Sequence, residues 1–314
     1  MAFTAKDVAA LREQTGAGMM DCKKALTECG GDMAKATEFL RERGISIAGG
    51  KGDRVASEGV VAAFVSDDST IGALAEVNSE SDFVSRSDEF LLLSNKIAKH
   101  IAMNNPKDVE TALAQTFVDD KKSTINDLVI QGTAKIGEKL SFRRFSYMTN
   151  KSGVIESYIH MGGKIGVLID IACDKKVDKK ALPVIKGMAK DISMHIAAFD
   201  PKYIDESAVP SSEIEYEKGI LKAQIVNDPK AKGKPGNVIE KMIEGRISKY
   251  LKEICLIHQD FAKDPSKTIT VLLQEQSKSL GINLSIARFT RFTMGEGLEK
   301  KVDNLAEEVA KLSK

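Results

Sequence analysis

The chain has 314 residues, enough for two or three domains and more than one core. Forty-six Lys and Arg stand against 45 Asp and Glu, so the basic excess of a general nucleic-acid binder is missing. A hydrophobic content of 42% is ordinary for a folded soluble chain, and Trp is absent.

The first 43 residues read as three short helices. Thr4 with Asp7 forms an N-cap box ahead of Val8 and Leu11. TGAG at 15–18 is a turn, a second helix runs from about Met20 to Cys29, and Gly30-Gly31 ends it. Asp32 is placed to cap a third helix carrying Ala36, Phe39 and Leu40. Residues 44–58 hold Gly44, Gly49, Gly50 and Gly52 among scattered charges and read as a flexible linker.

Beyond the linker the chain repeats itself. Gly59-Val60 recurs as Gly153-Val154 and Ile71-Gly72 as Ile165-Gly166, both 94 residues on. His100-Ile101-Ala102 recurs as His195-Ile196-Ala197, 95 residues on. Thr124-Ile125, Leu128, Gly137, Leu140-Ser141 and Arg144-Phe145 recur as Thr268-Ile269, Leu272, Gly281, Leu284-Ser285 and Arg288-Phe289, 144 residues on. Matches in order at stable offsets define a duplication. Each copy reads strand, strand, helix, helix, strand, with strands near 60–66, 71–78 and 141–148, then 154–160, 165–172 and 285–293. Helices fall near 88–104 and 123–137, then 178–198 and 266–279, so the fold class is α+β.

The offset grows from 95 to 144, which places 49 extra residues in the second copy, within about 200–266. This insertion has helical stretches near 211–227 and 237–255. Ile239, Ile243, Ile247, Tyr250 and Ile254 form a coiled-coil-like seam along the second. NDPKAKGKPG at 227–236 breaks any helix, so an antiparallel hairpin is expected to project from the core.

Several motifs admit a functional and a structural reading. GGKGD at 49–53 invites a phosphate-loop reading, but Ile45 stands where the first Gly belongs and Gly52 where Ser or Thr would follow Lys51. His100 and His195 are repeat equivalents beside apolar residues and read as structural. His160 ends a strand before Met161-Gly162-Gly163, at a hairpin tip where it can touch a partner or serve the turn. SDFV at 81–84 lies in a loop between a strand and a helix starting near Ser87-Asp88. The second copy has Lys175-Lys176-Val177 there and no Phe, so the shared fold does not require Phe83. Phe83 either packs back on Phe90 or Leu91 or stands exposed as an anchor. Met19-Met20, at a helix start with Asp21, Lys23 and Lys24, is core or an adaptable contact surface.

Cys22, Cys29, Cys173 and Cys255 form no C-x-x-C pair, so neither a zinc site nor a disulfide framework is legible, and a reducing, cytoplasmic setting is expected. Residues 1–13 lack the apolar stretch of a signal peptide, and the longest apolar run, about 166–173, is too short to span a bilayer. No G-x-S-x-G, H-E-x-x-H or paired Cys and His points to catalysis.

TGAGMMDCKKALTE at 15–28, EVNSESDFV at 76–84, KIGEKLSFRRF at 135–145, IGVL at 165–168, DPSKT at 264–268 and GEG at 295–297 closely resemble bacterial elongation factor Ts, in order over essentially the whole chain. The resemblance implies a factor, not an enzyme and without a cofactor, that binds elongation factor Tu in a 1:1 or 2:2 complex and exchanges its guanine nucleotide. It implies no nucleic-acid or membrane partner. The family's magnesium-directed TDFV loop falls on Ser81, Asp82, Phe83 and Val84, with Ser81 for the usual Thr. Its other contacts fall on Met19, Met20, Lys23, Ile136, Gly137 and His160. Residues 104–123 are longer than the pattern, and Ala262-Lys263 replaces a more apolar pair.

The expected domains are a UBA-like three-helix unit at 1–50 with a linker to 58, and core copies at 59–149 and at 150–204 with 264–297. A hairpin at 205–263 and a helical module at 298–314 complete them. Two other classes compete: an RNA- or ribosome-associated scaffold using Arg143-Arg144, and an enzyme on the duplicated core.

Overall fold

A computed structural model describes residues 3–15, 17–227 and 235–299. Helices α1 (Ala5–Thr15), α2 (Met19–Glu28) and α3 (Met33–Gly49) come first. Thr4 and Asp7 exchange capping bonds, the Thr4 amide donating to the Asp7 carboxylate at 2.7 Å, and Asp32 accepts from the amides of Ala34 and Lys35. The three helices bury Val8, Leu11, Cys22, Ala25, Leu26 and Ala36 in a small core of their own.

Helix α3 runs six residues further than the glycines predict, which corrects the linker reading of 44–58. Gly44 is buried in it, where the helix faces Ile130 and Ala134 of a core helix. A charge-assisted bond closes the same contact, Nη2 of Arg41 donating to both oxygens of Asp127 at 2.9 and 3.0 Å. Tertiary packing here outweighs the poor helix propensity of Gly44.

The first core copy comprises β1 (Glu58–Val65), β2 (Ile71–Ser79), α4 (Asp82–Ser85), α5 (Asp88–Asn104), α6 (Val109–Ala114), β3 (Thr116–Phe117), β4 (Asp120–Thr124), α7 (Ile125–Ile136) and β5 (Ser141–Thr149). The second comprises β6 (Val154–His160), β7 (Ile165–Cys173), α8 (Ala181–Phe199), the hairpin α9 (Ser211–Val226) and α10 (Gly236–Ile254), then β8 (Asp260–Phe261), β9 (Asp264–Thr268), α11 (Ile269–Leu280) and β10 (Leu284–Thr293). Each copy makes a three-stranded antiparallel sheet, in the orders β1-β2-β5 and β6-β7-β10. The sheets pack face to face over Val61, Leu74, Met148, Ile155 and Leu168. Helices α5 and α7 cover the outer face of the first sheet, α8 and α11 that of the second. Both faces of β2 and β7 are therefore buried, which is why they read as continuous apolar runs.

The copies match in detail. Buried Glu76 pairs across its sheet with Arg144, and buried Asp170 with Arg288, at positions 94 and 144 residues apart. Burial opposes ionisation of Glu76. The Gly295 amide and the guanidiniums of Arg144 and Arg143 outweigh it and hold the carboxyl below its usual range. His100 lies 3.0 Å from Gln115 and His195 2.8 Å from Gln259, which bears out their structural reading.

The insertion lies between Asp200 and Gln259. Ile247 and Ile254 on α10 are buried with Leu221 and Ile225 on α9. At the root, Glu213 accepts from the hydroxyls of Tyr203 and Tyr250 at 2.6 and 2.7 Å. The expected end at 263 is corrected, because Phe261 is buried in the second core and β8 pairs with β9 as β3 does with β4. Residues 109–124 of the first copy form α6 and β3–β4, where the second copy carries the hairpin and β8–β9. Most of the turn at 227–236 and of the module at 298–314 lies outside the described residues.

Candidate partner-binding site

Strand β2 delivers the chain to Ser81, which caps α4 by accepting weakly from the Val84 amide at 3.4 Å. SDFV is thus one turn of helix rather than a loop. The cap is Ser81, and Asp82 instead pairs with Arg86 at 2.8 Å. Within this turn the apolar side chains diverge. Val84 packs against the first core, while Phe83 is 85% exposed, which excludes packing on Phe90 or Leu91. Burying a Phe is worth about 1.5–3 kcal/mol, and that term is left available to a partner.

The turn is held from below by the segment after α7. Ser81 donates its amide and its hydroxyl to the two carboxylate oxygens of Glu138, at 2.9 and 2.7 Å. Glu80 accepts from the Lys139 amide at 2.6 Å. Burial opposes ionisation of Glu80, but that amide and Arg54 outweigh it and lower its pKa. Gly137, in the left-handed region at φ 85°, ends α7 exposed to solvent, and Ile136 beside it is half-buried against the core. The ammonium of Lys51 reaches the Gly137 carbonyl at 2.6 Å, and that of Lys139 reaches the carbonyls of Gly52 and Arg54. The segment read as a linker is therefore fastened to the floor of the site.

The β6–β7 turn lies at the same end of the sheets. Both α4 and this turn pack on β1, where Glu58 pairs with Ser79 and with Lys164 at 2.7 Å. Gly163 has φ 99°, and a Cβ there would fall 2.6 Å from that of Val60. This close approach lifts His160 and Met161 to the tip. His160 Nδ1 lies 2.9 Å from the Tyr158 hydroxyl, and Met161 is 72% exposed.

Residues 81–84, 136–137 and 160 thus share one end of the core. Met19, Met20 and Lys23 are not in that cluster. They sit exposed on α2, which packs on α1 and α3, with Met20 72% accessible, so the core reading of the Met pair fails. Sequence reasoning missed Glu138 and Met161, although each adjoins a residue it named. Among the described residues no group of three His, Cys, Asp or Glu is placed to hold a metal ion. Nor, among them, is any helix long and apolar enough to cross a membrane.

The fold and the site define a duplicated α+β scaffold that displays an aromatic side chain on a clamped turn. The chain belongs to the elongation factor Ts family. The family model Elongation factor TS matches residues 80–296. Elongation factor Ts of Clostridium novyi (strain NT) is 47% identical over 306 residues, covering 98% of this chain and 97% of that protein. The Clostridium perfringens (strain SM101 / Type A) protein is 47% identical over 310 residues, 99% of each chain. Elongation factor Ts of Clostridium acetobutylicum is 47% identical over 309 residues, 98% of each.

Proposed function

We propose that this chain is a cytoplasmic translation factor that binds elongation factor Tu carrying GDP and promotes its exchange for GTP. Family membership supports the role, and the exposure of Phe83 on a held turn is the observation that carries the mechanism. The GTPase holds GDP through phosphate contacts and Mg²⁺, which neutralises phosphate charge. A factor that binds the nucleotide-free state better than the loaded one weakens nucleotide binding by the same ratio. Phe83 acts as a wedge that displaces the elements holding the magnesium ligands, with Asp82 beside it. Uncompensated phosphate charge then speeds release. A shift from 1:99 to 99:1 takes about 5.5 kcal/mol, more than one Phe supplies. Further contacts from Ile136, Gly137, His160, Met19, Met20 and Lys23 complete the sum. The factor works by binding and not as an enzyme, in a 1:1 or 2:2 complex, with no direct nucleic-acid contact.

The three-helix unit to residue 50 is read as a UBA-like docking module and α9–α10 as a coiled coil engaging the partner. The core domains are 59–149 and 150–204 with 259–297. Release of labelled GDP from elongation factor Tu, with and without this chain, is the direct test. An unchanged rate at saturating factor counts against the reading.

A further inference from the structure

The duplication supplies an internal control for the wedge turn. Each copy carries an acid just after its second strand that accepts from an amide just before its last strand. In the first copy Glu80 accepts from Lys139 at 2.6 Å, and in the second Asp174 accepts from Asn283 at 2.8 Å. Those residues are 94 and 144 apart, so this bond belongs to the shared fold. The next bond does not. Ser81 and Glu138 correspond to Lys175 and Ile282, and Ile282 is buried in the second core. The second copy also has no helical turn in place of α4. A carboxylate that accepts twice from Ser81 thus occurs only in the copy that displays Phe83.

We infer that Glu138 is a positioning residue for exchange, fixing the Ser81 cap and thereby the direction of Phe83. This rests on the wedge reading above. A side chain with no packing of its own needs its backbone held, and ordering it before binding removes an entropy cost from the encounter. The first copy's core already has the Glu80–Lys139 bond and Val84 packing, so the fold does not depend on Glu138.

The chain has no tryptophan, so Phe83→Trp places on the turn the one tryptophan of the chain, which is excited apart from the tyrosines. Time-resolved anisotropy of the free protein then reads turn mobility without any partner. Glu138→Ala in that background is expected to raise the amplitude of fast rotation. In the Phe83 protein, Glu138→Ala is expected to lower the maximal rate of GDP release from elongation factor Tu about tenfold, the scale of a lost charge-assisted hydrogen bond. The melting temperature should hold. Ser81→Ala should give a smaller loss, and Ser81→Ala with Glu138→Ala should be no worse than Glu138→Ala alone. Unchanged anisotropy overturns the inference, as does a loosened turn with a normal rate, or a rate loss that only follows a fallen melting temperature. A wild-type protein that releases no GDP sinks the exchange reading instead, and the anisotropy still decides whether Glu138 holds the turn.

Discussion

Gly72 stands where a Cβ would come within 2.6 Å of Ile155 Cγ2, and the same contact recurs between Gly166 and Val61 at 2.4 Å. Residues 61 and 155, like 72 and 166, are 94 apart, so the two copies press on each other through one contact made twice. An added methyl must push the sheets apart on either side. Gly166→Ala is expected to destabilise the protein by about 1–3 kcal/mol, the usual cost of overpacking. Urea unfolding measures it, and an unchanged midpoint would mean that the sheets separate freely.

Burial lowers the pKa of His100 and His195, against the opposite pull of their bonds to Gln115 and Gln259. Folding therefore favours the neutral form of each, relative to an unfolded imidazole that titrates near 6.5. The unfolded state therefore binds more protons below that value. Stability present above pH 6.5 should decline as pH falls below it, by at most about 1.4 kcal/mol per pH unit for each histidine. Urea midpoints at pH 7 and 5.5 test this. The double variant His100→Gln/His195→Gln should show the smaller difference, and equal differences would exclude these residues as the source.

The hairpin is tied to the core at its root, by Glu213 with Tyr203 and Tyr250 and by buried Val209, Ile254 and Cys255. Beyond the root, α9 and α10 pack on each other. Replacing 219–244 by a short glycine turn should leave a single cooperative thermal transition. A deletion reaching Phe261 should not, because that ring belongs to the second core. Calorimetry of the two variants separates these outcomes.

The ion pair between Arg41 and Asp127 holds α3 on α7. Arg41→Ala should raise amide exchange in residues 41–49 while β2 stays protected. Uniform protection in both segments would show that packing of Gly44 alone suffices.

The duplication, the strands and the core helices were legible because each is written twice or carries its own period and caps. Thr4 with Asp7 and Asp32 announce helix starts through local chemistry, and the caps are where that chemistry places them. Gly44 misled because α3 is carried past it by its packing on α7 and by the Arg41–Asp127 bond, tertiary contacts that no local pattern reveals. Phe261 was assigned to the hairpin for a related reason, since a two-residue strand has no period to read. At the site, the sequence left Phe83 open between core and surface. Its exposure follows from the turn that Ser81 and Glu138 set, a contact across 57 residues.

The account turns on Phe83. Stopped-flow release of labelled GDP from elongation factor Tu should be compared for the wild-type chain and Phe83→Ala, with the melting temperature of each measured alongside. An exposed side chain contributes little to its own fold, so stability should change by no more than about 0.5 kcal/mol while release slows markedly. A loss of about 3–5 kcal/mol with normal release by the folded fraction, the pattern of a buried Phe, would contradict the account and return Phe83 to the core.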